Sequence, residues 1–312
     1  MQPSNHDPIC SPPTLLLGTA MWGWTVPRAT CFDLLDRFYR QGFREVDGAT
    51  NYPINKNPED FRKAEGILLE WIKANGVQDL KATMKVGSIN NLRTPDNNLS
   101  KSFLLMLLDE YRNEFGPNLD TFMIHWDNRQ EEASIRESLE ALAAARKAGL
   151  RAGLSGIKHP EAYARLNRDF EMDFRIQIKH NLLYSDYARY QPFHRNAGFI
   201  AYGINAGGIK LAPESYREDS SLKARGGNTL EEHPLAGPLR AILQEANQKM
   251  GRPAVSSFNH CGMAYAFYYP EIEGILLGVS RPGQLEDSLD LYNALKTCDY
   301  RDLYQKLKEL SE

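Results

Sequence analysis

A chain of 312 residues with 42% hydrophobic and 25% charged side chains has the make-up of a soluble globular protein, with room for one large domain or two ordinary ones. Its net charge of −3 gives no reason to expect nucleic acid or an anionic membrane surface as a partner. No apolar run approaches the roughly 20 residues that span a bilayer.

Residues 1–13 are rich in proline and small polar side chains, and lack both the basic start and the apolar stretch of a signal peptide. They read as a loose, flexible tail before one domain filling 14–312, in a cytoplasmic protein. Cys10, Cys31, Cys261 and Cys298 are scattered without metal-type spacing, so free thiols and no metal site are expected. The first strand-like run is Thr14 to Thr19, followed by an amphipathic helix from Thr30 to Gly42, whose Phe32, Leu35, Phe38 and Tyr39 share a face. Phe43 to Gly48 and a helix from Asn57 to Asn75 come next. Leu80 to Val86 precedes a helix around Lys101 to Phe115. Leu119 to Trp126 precedes one from Glu131 to Ala148, with Gly149 in the C-cap position. Strands over Arg151 to Ser155, Phe174 to Asn181, Gly198 to Ile204 and Gly274 to Gly278 bring the count to eight, with helices near Pro160 to Leu166, Pro238 to Gly251 and Ser256 to Tyr269. Eight apolar strands with helices between them predict an α/β fold, a single (β/α)8 TIM barrel. A doubly wound sheet is the alternative, but no Gly-x-Gly-x-x-Gly follows the first strand. The longest irregular stretch, Lys210 to Pro234, reads as a lid over a ligand.

In such a barrel the strand C-termini open onto the face that carries chemistry. Asp47 and Tyr52 follow strand two, Lys85 is near the end of strand three, and His125 ends strand four. Lys81 has the same parity as Lys85 but lies further from the strand's C-terminal end. A tyrosine is a poor acid at neutral pH, with an ordinary pKa near 10. An ammonium beside it favours phenolate, and an aspartate keeps that ammonium charged and placed. With an imidazole to orient a carbonyl, the group can protonate the oxygen as hydride reaches the carbon.

The chain resembles the aldo-keto reductase family from about Leu15 to Tyr292. The resemblance rests on Asp47-Gly-Ala-Thr-Asn-Tyr52, Met84-Lys-Val-Gly87, Ile124-His-Trp126, Gly153-Leu-Ser-Gly156, Gln177-Ile-Lys-His-Asn-Leu-Leu183 and the run Gly278 to Ser288. It implies NADPH-dependent reduction of a small-molecule aldehyde or ketone, reversibly. Tyr52 would be the general acid, Lys85 and Asp47 its tuners and His125 the orienting group. It further implies that Thr19, Ala20, Met21, Asp47 and Gly156 border the cofactor, that Ser155 and Gln177 hold its carboxamide, and that Tyr202 stacks on its ring beside Gly203 and Asn205. Ser280 and Arg281 would meet the 2′-phosphate, with Gly278 also binding the cofactor and Gln284, Asp287 and Ser288 near the adenosine. Gly156 and Ser288 each replace an asparagine usual in the family, and Gly203-Ile-Asn205 replaces its Ser-Pro-Leu.

Trp22, Trp24 and Trp126, with Tyr52 and His125, are expected to wall the substrate pocket, and Asn51 and Asn205 to add polar selectivity. Lys179 shares parity with Gln177 and Asn181, so an inward, desolvated Lys179 is the basis of an alternative, a Schiff-base lyase. A regulatory barrel that binds NADPH with little turnover is another. A monomer or weak homo-oligomer is expected.

Overall fold

The computed structural model describes residues 11–211, 221–224, 226 and 234–311. Most of the tail and most of the lid expected over Lys210 to Pro234 lie outside them. Eight parallel strands form a closed barrel: β1 (Thr14–Gly18), β2 (Glu45–Ala49), β3 (Lys81–Gly87), β4 (Leu119–Asp127), β5 (Arg151–Ile157), β6 (Phe174–Asn181), β8 (Ala197–Tyr202) and β9 (Ile272–Leu277). Each pairs with the next, β6 with β8, and β9 closes the ring on β1. The two-residue β7 (Tyr184–Ser185) is outside the ring and folds back antiparallel on His180 and Asn181. All eight expected strands are present, so the fold is the (β/α)8 barrel.

The first and third helices each bury one stripe, as their periodicity dictates. In α1 (Arg28–Arg40) the buried set is Cys31, Leu34, Leu35 and Phe38. In α3 (Lys101–Phe115) it is Leu104, Leu107, Leu108, Tyr111 and Phe115. Two boundaries differ from the sequence reading for local reasons. The helix expected from Asn57 begins instead as α2 (Lys63–Asn75), because the Asn57 side chain caps a separate 3-10 turn at Pro58–Asp60 and Arg62 takes a left-handed conformation. Helix α4 (Glu132–Lys147) is capped by the Glu131 carboxylate, which accepts from Ser134 N–H at 2.9 Å. Its C-cap is Ala148, and the left-handed Gly149 lies one place beyond.

The remaining helices are α5 (Pro160–Leu166), the short α6 (Ser221–Ala224), α7 (Ala236–Ala246), α8 (Phe258–Phe267), α9 (Pro282–Thr297) and α10 (Arg301–Ser311). The last was not expected from the sequence. Leu303 and Leu307 are its fully buried residues, with Tyr304 and Leu310 partly buried, where it packs on α7 and α8.

The N-terminal end of the barrel is closed by ions. Arg175 is buried there and pairs with Glu45 at 2.8 Å and Glu273 at 3.2 Å, while Arg151 holds Asp120 at 2.6 Å. The C-terminal end carries the cavity described below, and α8 is wedged beside it. A Cβ on Gly262 of α8 would stand 2.0 Å from the Ile204 carbonyl oxygen, in the loop after β8. Gly262→Ala is therefore expected to push that loop away, lowering stability by about 1–3 kcal/mol as overpacking does; chemical denaturation measures it.

Candidate active site

Strand register brings the chemistry together. Ala49 pairs with Lys85, Gly87 with His125, His125 with Ser155, and Ser155 with Gln177, so β2 to β6 present these groups on the same rim. They border a cavity of about 390 Å³ at the C-terminal ends of the strands.

At its floor the Lys85 ammonium donates to the Asp47 carboxylate, and both side chains are 1% exposed. Lys85 also donates to Gln177 Oε1 at 3.2 Å, while Gln177 Nε2 donates to the other Asp47 oxygen. The Tyr52 hydroxyl accepts from the same ammonium, which lies 4.9 Å from the centre of the tyrosine ring. Burial by itself would depress the Lys85 pKa, but Asp47 and Tyr52 outweigh it and hold the group above the ordinary lysine value. Lys81, its competitor in the sequence, is exposed.

The His125 ring stands edge-on to Tyr52, with centroids 6.3 Å apart. Burial, and then the positive Lys85, push its pKa well below the usual histidine value, so the imidazole is neutral near pH 7. Its Nδ1 is buried without a partner among the described residues.

Other expected residues divide into two sets. Ala20, Met21, Ser155, Gly156, Gln177, Tyr202, Gly203, Asn205, Gly278, Ser280, Arg281, Gln284 and Trp126 all border the cavity. Gly156, at φ +68°, packs under Trp126, where a Cβ would come within 2.9 Å of the Trp126 Cβ. That closeness accounts for a glycine at this position. Ser280 donates from both N–H and Oγ to Gln284 Oε1, each at 3.0 Å, which closes the turn into α9.

The second set lies elsewhere. Thr19 is buried behind the wall, its hydroxyl donating to the Asp47 carbonyl at 2.9 Å. Asp287 does not line the cavity and pairs with His260 at 2.8 Å, and Ser288 is enclosed between Asn259 and the Gln284 carbonyl. Trp22 does not wall the pocket: the chain turns back after β1, bridging Trp22 to Val26, and the indole enters the core. Trp24 is half-buried beside Arg93, 6.0 Å from the guanidinium, off the cavity. Lys179 corrects the parity argument. It is exposed, its ammonium lying 5.1 Å from the Tyr184 ring, so the desolvation required of a Schiff-base lysine is missing.

The sequence reading overlooked Lys210 as a site residue, having taken it only as the start of the lid. It borders the cavity with Arg281, and the two cations sense each other: burial first, then Arg281, lowers the Lys210 pKa, while Asp287 opposes the shift. No periodicity marks it, because it lies on irregular chain after β8.

A barrel with a buried lysine–aspartate pair beneath a tyrosine and a neutral histidine has the groups that acid–base chemistry at a strand-end cavity would need. Residues 14–308 match the model of the Aldo/keto reductase family, and the chain belongs to that family. Among solved structures, an aldo-keto reductase from Bacillus halodurans in its holo form superposes with a TM-score of 0.70 at 16% identity, over 96% of this chain and 92% of that one. A protein assigned as a 2,5-diketo-D-gluconic acid reductase B superposes with a TM-score of 0.66, also at 16% identity, over 95% and 87%. At such identities the likeness is one of fold. No curated protein sequence matches the chain. No helix among the described residues is long and apolar enough to cross a membrane.

The neutral histidine is directly testable. Ring ¹⁵N shifts of His125 should stay constant between pH 8 and 6, where an ordinary histidine near 6.5 begins to titrate; a midpoint near 6.5 would contradict the placement. The sign for stability follows: below about 6.5 the unfolded chain gains a proton that the folded site refuses, so His125 weakens the fold as pH falls.

Proposed function

We propose that this chain is an NADPH-dependent carbonyl reductase in which Tyr52 is the general acid, Lys85 and Asp47 tune it, and His125 orients the substrate. The observation that carries the reading is the buried Asp47–Lys85 pair set against the Tyr52 hydroxyl at the cavity floor. Asp47 keeps Lys85 charged despite its burial, and that charge stabilises the phenolate left when Tyr52 gives its proton to a carbonyl oxygen. A neutral His125 donates a hydrogen bond to the same oxygen without competing as an acid. In the reverse direction the phenolate takes the alcohol proton. Trp126 lends the pocket an apolar wall.

The residues present fit a nicotinamide dinucleotide. Ser155 and the unused donor and lone pair of Gln177 suit a carboxamide, and Tyr202 borders the same space with an aromatic face. The positive-φ Gly203, Gly207 and Gly208 let backbone approach a ligand closely. Ser280 and Arg281, just before the 16-residue α9, with Lys210 from the loop after β8, form the donor set that a phosphate dianion needs. When bound, the cofactor supplies the hydride. The Schiff-base alternative has no support in the exposed Lys179.

Tyr52→Phe is expected to lower aldehyde reduction by about 10²–10⁴-fold, the usual worth of a positioned acid, with NADPH binding retained. Full activity in this variant would remove Tyr52 from the mechanism. Arg281→Met and Lys210→Met should each weaken NADPH binding about tenfold or more while changing NADH binding little, because the lost contact is to a charged group. Fluorescence titration with each cofactor measures this, and equal losses for both would remove the 2′-phosphate role.

A further inference from the structure

The Gln177 carboxamide has a fixed orientation in this site. A carboxylate only accepts and an ammonium only donates, so an amide placed between them must turn its NH₂ to Asp47 and its oxygen to Lys85. The orientation is thus dictated by the chemistry of its neighbours. The side chain is 2% exposed, so these bonds are largely shielded from bulk solvent.

The result is a closed triangle. Lys85 has three N–H donors, and three acceptors stand around it: Asp47, Gln177 and Tyr52. An ammonium on a flexible stem can rotate its donors, whereas one with all three engaged cannot. Asp47 is likewise held at both oxygens, one by Lys85 and one by Gln177. We propose that Gln177 is a positioning residue for proton transfer, acting through Lys85 and Asp47 to hold the ammonium against the Tyr52 oxygen. This rests on the reductase reading above, and goes beyond a carboxamide-holding role. The two roles are compatible, because one amide hydrogen and one oxygen lone pair remain unused. The titratable groups around the phenol are Asp47 on β2, Lys85 on β3, His125 on β4 and Tyr202 at the end of β8.

The test is the pH dependence of kcat for reduction of an aromatic aldehyde at saturating NADPH, alongside NADPH affinity measured separately. In the wild type kcat falls as pH rises through the pKa of the acid. Gln177→Met keeps the volume but leaves one Lys85 donor and one Asp47 oxygen without partners. The ammonium then swings free of the phenol oxygen, the phenolate loses support, and the alkaline limb moves up by about one pH unit while kcat falls about tenfold or more. Gln177→Glu retains an acceptor but sets a second carboxylate beside Asp47, and the limb moves the same way. This second variant decides the matter if the first does not fold, as judged by circular dichroism. A limb that stays in place in the folded variants while NADPH affinity drops would overturn the proposal and leave Gln177 as a cofactor contact only. A wild type that neither binds NADPH nor reduces aldehydes would overturn the reductase reading itself, and this inference with it.

Discussion

A lysine ammonium and an aspartate carboxylate, each 1% exposed, sit together at the floor of a protein barrel. Taking such ions out of water costs several kcal/mol each, and the cost is offset only where geometry is good and remaining donors and acceptors are engaged. Here Gln177 and Tyr52 complete that engagement, which ties four side chains from β2, its following loop, β3 and β6 into one unit. The barrel must therefore keep these strands in one register. Gly48, next to Asp47, contributes to that, since a Cβ there would stand 2.9 Å from the Met84 sulfur on β3.

The two ends of the barrel handle charge differently. At the N-terminal end Arg175 meets Glu45 and Glu273, so opposite charges close the ring. At the C-terminal end Lys85 pairs with Asp47 within the floor, and Lys210 and Arg281 border the cavity, with burial and then Arg281 lowering the Lys210 pKa and Asp287 opposing it. In the proposed reaction the cation pair would meet an anionic group of the cofactor, and proton transfer would take place at the floor. His125 completes the floor as a neutral group, kept so by burial and by Lys85.

Much of this was legible in the sequence because it depends on strand ends. Each strand is a short apolar run, and Asp47, Lys85 and His125 each lie within two residues of a strand's C-terminal end, where parallel topology brings them to one rim. What was not legible depends on the chain leaving that regularity. Trp22 follows β1 but turns into the core, because the backbone doubles back at the left-handed Gly23 to meet Val26. Lys179 has the parity of Gln177, yet it lies where β6 gives way to the β7 hairpin, and alternation there no longer means inward. Lys210 sits on irregular chain where no period marks it. The bonds of Gln177 to Asp47 and Lys85 span residues 130 and 92 positions apart, beyond any local pattern.

The charge on Lys85 is the point on which the chemistry turns, and the ¹⁵N resonance of its side-chain nitrogen, followed against pH in the ligand-free protein, reports it directly. The expected result is an ammonium still largely protonated at pH 10.5, the ordinary lysine midpoint, because Asp47 and Tyr52 outweigh burial. A midpoint well below 10.5 would mean that desolvation wins, that no fixed cation faces Tyr52, and that the proposed acid lacks its support.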